Sequence, residues 1–139
     1  MFAAAIEEYL KRARTFFNLE IDEVSDEAVR SEGEVARAVA KESAALLARA
    51  RGHIILLDIG GKAYGSAEIA RKLESLSLTN PTVSFVIGGS YGVSAELKAA
   101  ADLTLSLGAP TYPHSLVRVM LLEQIYRAGT ILNGRTYHK

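Results

Sequence analysis

Hydrophobic and polar positions follow two periods along the N-terminal part of the chain, one typical of helices and one of strands. Apolar side chains in residues 2–14 fall on one face of a helix. Residues 16–24 alternate with a period of two, which predicts a half-buried strand. An alanine-rich stretch at 31–49 predicts a second helix, with Ser31 and Glu34 spaced as a capping box.

The rest of the chain repeats a strand followed by a helix. Apolar runs at 53–59, 82–89 and 102–107 predict buried parallel strands. The longest predicted helix is 114–129, which Gly129 is expected to stop. This alternation predicts an α/β fold, a parallel sheet flanked by helices. Loops are expected at 60–66 and 108–113, and shorter helices at 66–76 and 94–101, capped by Ser66 and Ser94.

Composition limits the class of protein. The chain has 139 residues, of which 49% are hydrophobic, and this suits one globular domain spanning 1–139. No apolar run approaches the roughly 18–20 residues that a membrane span needs. The absence of cysteine excludes disulfides and thiolate metal sites. We therefore expect a cytoplasmic protein with no membrane and no metal.

Charge is balanced overall but unevenly distributed. The net charge is zero, with −3 on residues 1–50 and +3 on residues 51–139. Residues 118–139 are locally basic, with three arginines and a lysine against Glu123. Two interpretations stay open, namely a solvated surface and a basic edge that contacts nucleic acid.

Glycines mark the ends of the three predicted strands, at 57–61, 87–89 and 105–110. Ligands bind outside the carboxyl ends of strands in open parallel sheets, and glycine lets the backbone approach them closely. One shared pocket and three ordinary turns are both consistent with this pattern. Neither a G-x-G-x-x-G nor a Walker A motif is present, which argues against dinucleotides and triphosphates.

Six ordered motifs stand out along the chain: D-I-G-G-K (58–62), F-V-I-G-G-S-Y-G (85–92), L-S-L (105–107), T-Y-P-H (111–114), V-R-V-M-L-L-E-Q-I-Y-R-A (117–128) and Y-H-K (137–139). Together they resemble one known family, the RlmH-type SPOUT methyltransferases. The resemblance implies an S-adenosylmethionine-dependent enzyme that methylates N3 of a pseudouridine in bacterial 23S ribosomal RNA. It also implies a homodimer with a C-terminal trefoil knot. Relatives begin with a short strand, which we expect this chain to lack.

The resemblance also implies which residues hold S-adenosyl-L-methionine. Gly88 is expected to leave room for the cofactor. The stretch Gly108–Thr111 departs from the Ser-x-Met-Thr-like sequence of relatives, and Pro110 has no N–H to donate. The implied cofactor-binding residues are Leu57, Gly88, Leu107, Gly108, Ala109, Pro110, Thr111 and Tyr112.

Three residues are candidates for the reaction itself: His138, Tyr137 and Arg118. His138 is the expected general base, with Asp58 a weaker candidate whose carboxylate would otherwise fix its loop. Tyr137 is expected to stack on a splayed base, unless the tail is simply frayed. Arg118 has three open roles: a dimer contact, a phosphate ligand and a carboxylate pair.

The helix 114–129 is apolar around most of its circumference, which predicts that a second copy of the chain covers part of it. Glu123 and Arg127 are spaced as an ordinary surface pair on it. Two alternatives to the enzyme stay open. One is a non-catalytic RNA- or ribosome-binding module that keeps the knotted fold, and the other is an unknotted flavodoxin-like nucleotide-binding protein.

Overall fold

The computed structural model describes all 139 residues, which fall into two compact units. The helical unit comprises Met1–Ile21, Tyr64–Thr79 and Tyr112–Lys139. The sheet unit comprises Asp22–Ala63 and Asn80–Thr111. The expectation of one functional domain over 1–139 stays a prediction.

Five α-helices and three β-strands make up these units. The helical unit holds α1 (Ala3–Ala13), α3 (Ser66–Thr79) and α5 (His114–Leu132). The sheet unit holds the helices α2 (Val35–Arg49) and α4 (Ala95–Ala100), and a 3₁₀ turn at Glu32–Glu34 precedes α2. Its strands are β1 (His53–Ala63), β2 (Val83–Ile87) and β3 (Leu103–Ser106). None of the helices combines the length and hydropathy that crossing a membrane requires.

The sheet unit is built around three parallel strands in the order β2-β1-β3. Its core centres on Leu56, Val86 and Leu97, which come from β1, β2 and α4. Leu46 and Leu47 of α2 pack against them. The predicted parallel sheet is therefore confirmed. Its strands are apolar runs in the sequence because the side chains on both faces of each strand are covered by other elements.

The helical unit is organised by α5, which packs against α1 and α3. The Ser66 hydroxyl donates to the Gln124 side chain at 2.7 Å and ties α3 to α5. Gly129 lies inside α5. The Phe16 ring occupies the position that a Cβ on residue 129 would take, so only glycine fits there. The prediction that Gly129 stops the helix is wrong, since this glycine provides room for a neighbour.

Two other predictions of local structure are wrong. Residues 16–24 form no strand, because the Phe16 ring packs at Gly129 and the Arg49 guanidinium binds the Asp22 carboxylate and the Glu23 carbonyl. The loop predicted at 60–66 is only partly a loop, since β1 continues through a bulge to Ala63.

The predicted helix caps have mixed outcomes. The Ser94 hydroxyl accepts the Leu97 N–H at 3.1 Å, which confirms that cap. Ser31 makes no side-chain cap, and the Glu34 carboxylate accepts the Arg30 N–H instead. Ser66 is the first residue of α3 and not the capping residue before it, and its hydroxyl donates to the Gln124 side chain.

Candidate functional site

The carboxyl ends of the three strands lie side by side at one edge of the sheet unit. Leu57 of β1 pairs with Ile87 of β2 and with Leu105 of β3. The residues that follow these positions therefore emerge at the same edge. We call this edge, with residues 57–61, 88–92 and 106–111, the strand-end site.

A bulge in β1 gives the strand-end site its first loop. Both Leu57 and Lys62 lie opposite Leu105, so the intervening residues 58–61 loop out of the ladder. The Asp58 carboxylate accepts the Gly60 N–H at 3.1 Å and closes the turn. This contact supports the role of Asp58 in fixing its loop. Ile59 stands 61% exposed on the bulge.

Two glycines of this site are required by packing. A Cβ on Gly61 would lie 2.6 Å from the Thr104 carbonyl oxygen. A Cβ on Gly88 would collide with the Val93 side chain, which belongs to the sheet-unit core. Val93 thus occupies the space that a side chain on residue 88 would need, and the expected contact of Gly88 with the cofactor stays a prediction.

The third loop of the strand-end site is held by a serine. The Ser106 hydroxyl accepts the Gly108 N–H at 3.0 Å. Gly108 has φ +117°, a conformation that favours glycine. Ala109, Pro110 and Thr111 follow as an exposed turn. Tyr112 is the first residue of the last segment of the helical unit and is half-buried there.

A surface groove of the sheet unit contains none of the strand-end residues. Its lining carries charges of both signs in addition to two alanines. The lining residues are Glu27, Ala28, Arg30, Glu34, Arg37 and Ala38.

A second concentration of candidate side chains is in the helical unit, where the C-terminal tail packs on α5. Arg127 donates two hydrogen bonds to the Glu123 carboxylate, from Nε to Oε1 at 3.0 Å and from Nη2 to Oε2 at 2.8 Å. Both side chains are largely buried, with 23% and 18% exposure. The pair is therefore a forked, partly desolvated ion pair, and the expectation of an ordinary surface pair is wrong.

Tyr137 brings the tail onto this ion pair. Its hydroxyl donates to Glu123 Oε2 at 3.0 Å. Its ring lies edge-on to Tyr126, with 4.7 Å between centroids, and the Arg127 guanidinium sits 4.7 Å from its centroid. The tail is thus packed on α5, and the alternative of a frayed end does not describe it. We call Glu123, Tyr126, Arg127, Tyr137 and His138 the tail cluster.

His138 completes the tail cluster from an exposed position. Its Nδ1 lies 3.0 Å from Arg127 Nη1. Tyr137 and His138 are therefore brought together by the same arginine, which was not expected to belong to the site. His114 is exposed at the start of α5, and Arg118 is half-buried one turn later.

Ionisation in the tail cluster follows from these contacts. The hydrogen bonds from Arg127, and then the one from Tyr137, lower the pKa of Glu123 against the effect of burial. Burial, and then the hydrogen bond to the Glu123 carboxylate, raises the pKa of Tyr137 to about 12. Near neutral pH Glu123 is therefore anionic, and Tyr137 is a neutral donor.

Residues of α1 pack against the tail cluster through Tyr126. The amphipathic pattern of residues 2–14 predicted the helix but not this contact. The ring centroids of Tyr9 and Tyr126 are 6.5 Å apart. The Arg12 guanidinium lies 5.5 Å from the Tyr9 centroid and 5.9 Å from the Tyr126 centroid. Phe16, which follows α1, lies 6.1 Å from Tyr126. Only the packing of α1 on α5 assembles this aromatic group.

The chain is similar to known proteins over nearly its whole length. A family model described as "Predicted SPOUT methyltransferase" matches residues 1–138. The chain is 42% identical to the ribosomal RNA large subunit methyltransferase H of Ruminiclostridium cellulolyticum, over 97% of this chain and 89% of the relative. The protein of the same name from Clostridium beijerinckii is also 42% identical, with 97% and 89% covered. That from Carboxydothermus hydrogenoformans is 42% identical, with 96% and 88% covered.

The match extends over nearly the whole chain and includes both the strand-end site and the tail cluster. The resemblance drawn from the six motifs is therefore confirmed. The chain belongs to the SPOUT methyltransferase family.

Proposed function

We propose that this protein transfers a methyl group from S-adenosylmethionine to N3 of a pseudouridine in large-subunit ribosomal RNA. The observation that carries the proposal is the match, at 42% identity and over 97% of the chain, to a relative named for methylating that RNA. Acting on ribosomes would place the protein in the cytoplasm.

The strand-end site suits the cofactor chemically. Its loops combine exposed backbone at Ala109 and Thr111 with the half-buried apolar side chains Leu57 and Leu107. Backbone amides and carbonyls can read an adenine edge, and apolar side chains can hold a methionine chain. Pro110 offers a carbonyl but no N–H, so the donors in this turn are its neighbours. When bound, S-adenosylmethionine would supply an electrophilic methyl group on a sulfonium.

The tail cluster suits the RNA side of the reaction. Tyr137 presents an aromatic ring, while His138 and Lys139 present an imidazole and an ammonium group at the exposed end of the chain. Aromatic rings stack on unpaired bases, and cations hold phosphates. We assign these residues to holding the target nucleotide, and Arg118 to a phosphate or partner contact.

We also propose a homodimer with the trefoil knot of the family. Leu116, Val117, Val119 and Met120 of α5 are only half-buried within the protomer, so an apolar stripe is left for a second copy. Sedimentation at micromolar concentration should give a dimer. A monomer would contradict this part of the proposal.

Cofactor binding can be tested with a matched pair of variants. Ala109→Trp places a large ring on the exposed turn of the strand-end site, and Ala40→Trp places the same ring on α2, away from that site. Calorimetry with S-adenosylhomocysteine should show at least a tenfold loss of affinity for A109W only. Equal affinities would place the cofactor elsewhere.

Transfer itself is tested with tritiated S-adenosylmethionine and ribosomes that lack the modification. The wild-type chain should label large-subunit RNA. Removal of residues 135–139 should reduce the rate by about 10²-fold or more, because positioning of the nucleotide is lost. Cofactor binding without any transfer by the wild-type chain would instead favour a non-catalytic RNA-binding module.

A further inference from the structure

The contact between Arg127 and His138 fixes the chemical role of each ring nitrogen. A guanidinium has five N–H donors and no acceptor. The Arg127 Nη1 atom lies 3.0 Å from His138 Nδ1, so this nitrogen has to accept. In a neutral imidazole with an accepting Nδ1, the proton resides on Nε2. The structure therefore selects the Nε2–H tautomer of His138.

The arginine is itself held in place, so the selection is not incidental. Glu123 binds Arg127 through both carboxylate oxygens, and Tyr137 donates to the same carboxylate. The Tyr137 ring centroid also lies 4.7 Å from the guanidinium carbon. These contacts leave Nη1 directed at His138, whose side chain is exposed and can offer Nε2–H to a partner outside the chain.

We propose that His138 acts in methyl transfer as a hydrogen-bond donor through Nε2, and that Glu123 and Arg127 are positioning residues that impose this role. The inference rests on the proposed function and replaces the general base that the sequence suggested. A base would need an open nitrogen lone pair, and the only lone pair of this tautomer is occupied by Arg127.

The acceptor for Nε2–H would be a carbonyl oxygen of the target base. N3 of a uracil-type ring is an imide nitrogen with a carbonyl on each side. Its N–H bond breaks, its N–CH₃ bond forms, and the sulfonium S–CH₃ bond breaks to leave a neutral thioether. The N3 proton passes to solvent water. Negative charge develops on the flanking oxygens as the proton leaves, and a fixed donor there stabilises it.

Different substitutions of His138 separate a donor from a base. The glutamine of H138Q would carry an N–H near the position of Nε2 but cannot act as a base, so this variant should keep kcat within about fivefold of wild type. H138N can replace the acceptor for Arg127 but carries nothing at the Nε2 position. It should lose about 10²-fold in kcat, as H138A should, with little change in KM for ribosomes. Equal losses for H138Q and H138A would overturn the proposal.

The positioning role of Arg127 is tested on two backgrounds. Lysine keeps a cation for Glu123 but lacks the fork, so R127K should lower kcat about tenfold in the wild-type chain. In an H138A background the same change should have little further effect, because Arg127 acts through His138. A full additional tenfold loss in that background would contradict the positioning role.

The tautomer can be measured without any reaction. Nitrogen-15 shifts of the imidazoles in the intact protein should show an unprotonated Nδ1 and a protonated Nε2 for the signal that H138N removes. A protonated Nδ1 would overturn the inference while leaving the proposed function intact. Failure of the wild-type chain to methylate ribosomal RNA would overturn the proposed function and this inference with it.

Discussion

The strand-end site is shaped mainly by backbone atoms, whereas the tail cluster is shaped by long side chains. In the strand-end site, the loops are defined by backbone atoms, by glycines such as Gly61, and by short side chains such as Asp58 and Ser106 that bond to nearby N–H groups. In the tail cluster, long side chains meet directly, with Glu123 and Arg127 at the centre. One surface therefore depends on where the backbone runs, and the other on which side chains are present.

This difference predicts opposite sensitivities to mutation. A backbone-defined loop tolerates changes of exposed side chains but not an added Cβ where backbone approaches backbone. A side-chain network tolerates conservative changes around it but not the loss of its central carboxylate, because partly buried donors are then left without acceptors. Substitutions in each region therefore test whether backbone or side chains determine its structure.

The largest effect is expected at Gly61. A valine there would force its Cβ against the Thr104 carbonyl oxygen, which belongs to the neighbouring strand and cannot move away easily. We expect G61V to lower the free energy of unfolding by about 3 kcal/mol. Urea denaturation measures it. Gly60→Ala is the control, since its Cβ would meet only a side-chain oxygen of Asp58, at 3.1 Å, and no backbone of the neighbouring strand. A similar loss in both variants would contradict the backbone explanation.

The next effect is expected at Glu123. Alanine there removes the acceptor of two Arg127 hydrogen bonds and of the Tyr137 hydroxyl. We expect E123A to cost about 2 kcal/mol in unfolding free energy, and E123Q less, because an amide oxygen still accepts. A loss below about 0.5 kcal/mol for E123A would show that the tail is not held by this carboxylate.

The strand-end site could be predicted from the sequence better than the tail cluster. The first depends on the course of the backbone, and the second depends on side chains that meet only after folding. The strand ends were predictable, since apolar runs such as 53–59 define strands and parallel strands end at one edge. The tail cluster was only partly predictable. Tyr137 and His138 stood out, but Glu123 and Arg127 looked like a surface pair because local spacing carries no information about what packs over it. Gly129 was misinterpreted likewise, as Phe16 is distant in sequence.

A third prediction concerns Tyr137 at high pH. Its pKa is raised to about 12 in the folded protein, whereas an unperturbed tyrosine titrates near 10. The folded state therefore holds this proton more tightly than the unfolded state. The resulting stabilisation is fully present below about pH 10 and is lost as the pH rises toward about 12. Unfolding free energies of wild type and Y137F should converge over that range. A constant difference would contradict the assignment.

The smallest effect is expected at a second pair with the same spacing as Glu123 and Arg127. Glu8 and Arg12 also lie four residues apart on a helix, and their closest atoms are 2.9 Å apart, against 2.8 Å for the tail pair. Their side chains are 51% and 43% exposed, and water therefore screens the attraction. We expect E8A to change the free energy of unfolding by less than about 0.5 kcal/mol.

Double-mutant cycles on both pairs make this contrast quantitative. For each pair the two single alanine variants and the double variant are unfolded in urea alongside the wild type, and the coupling energy is taken from the resulting values. The tail pair should couple more strongly than Glu8 and Arg12, because two bonds form in a fork that Tyr137 partly covers. Equal coupling energies would mean that spacing alone sets the strength, and that the packing of the tail over α5 adds nothing to it.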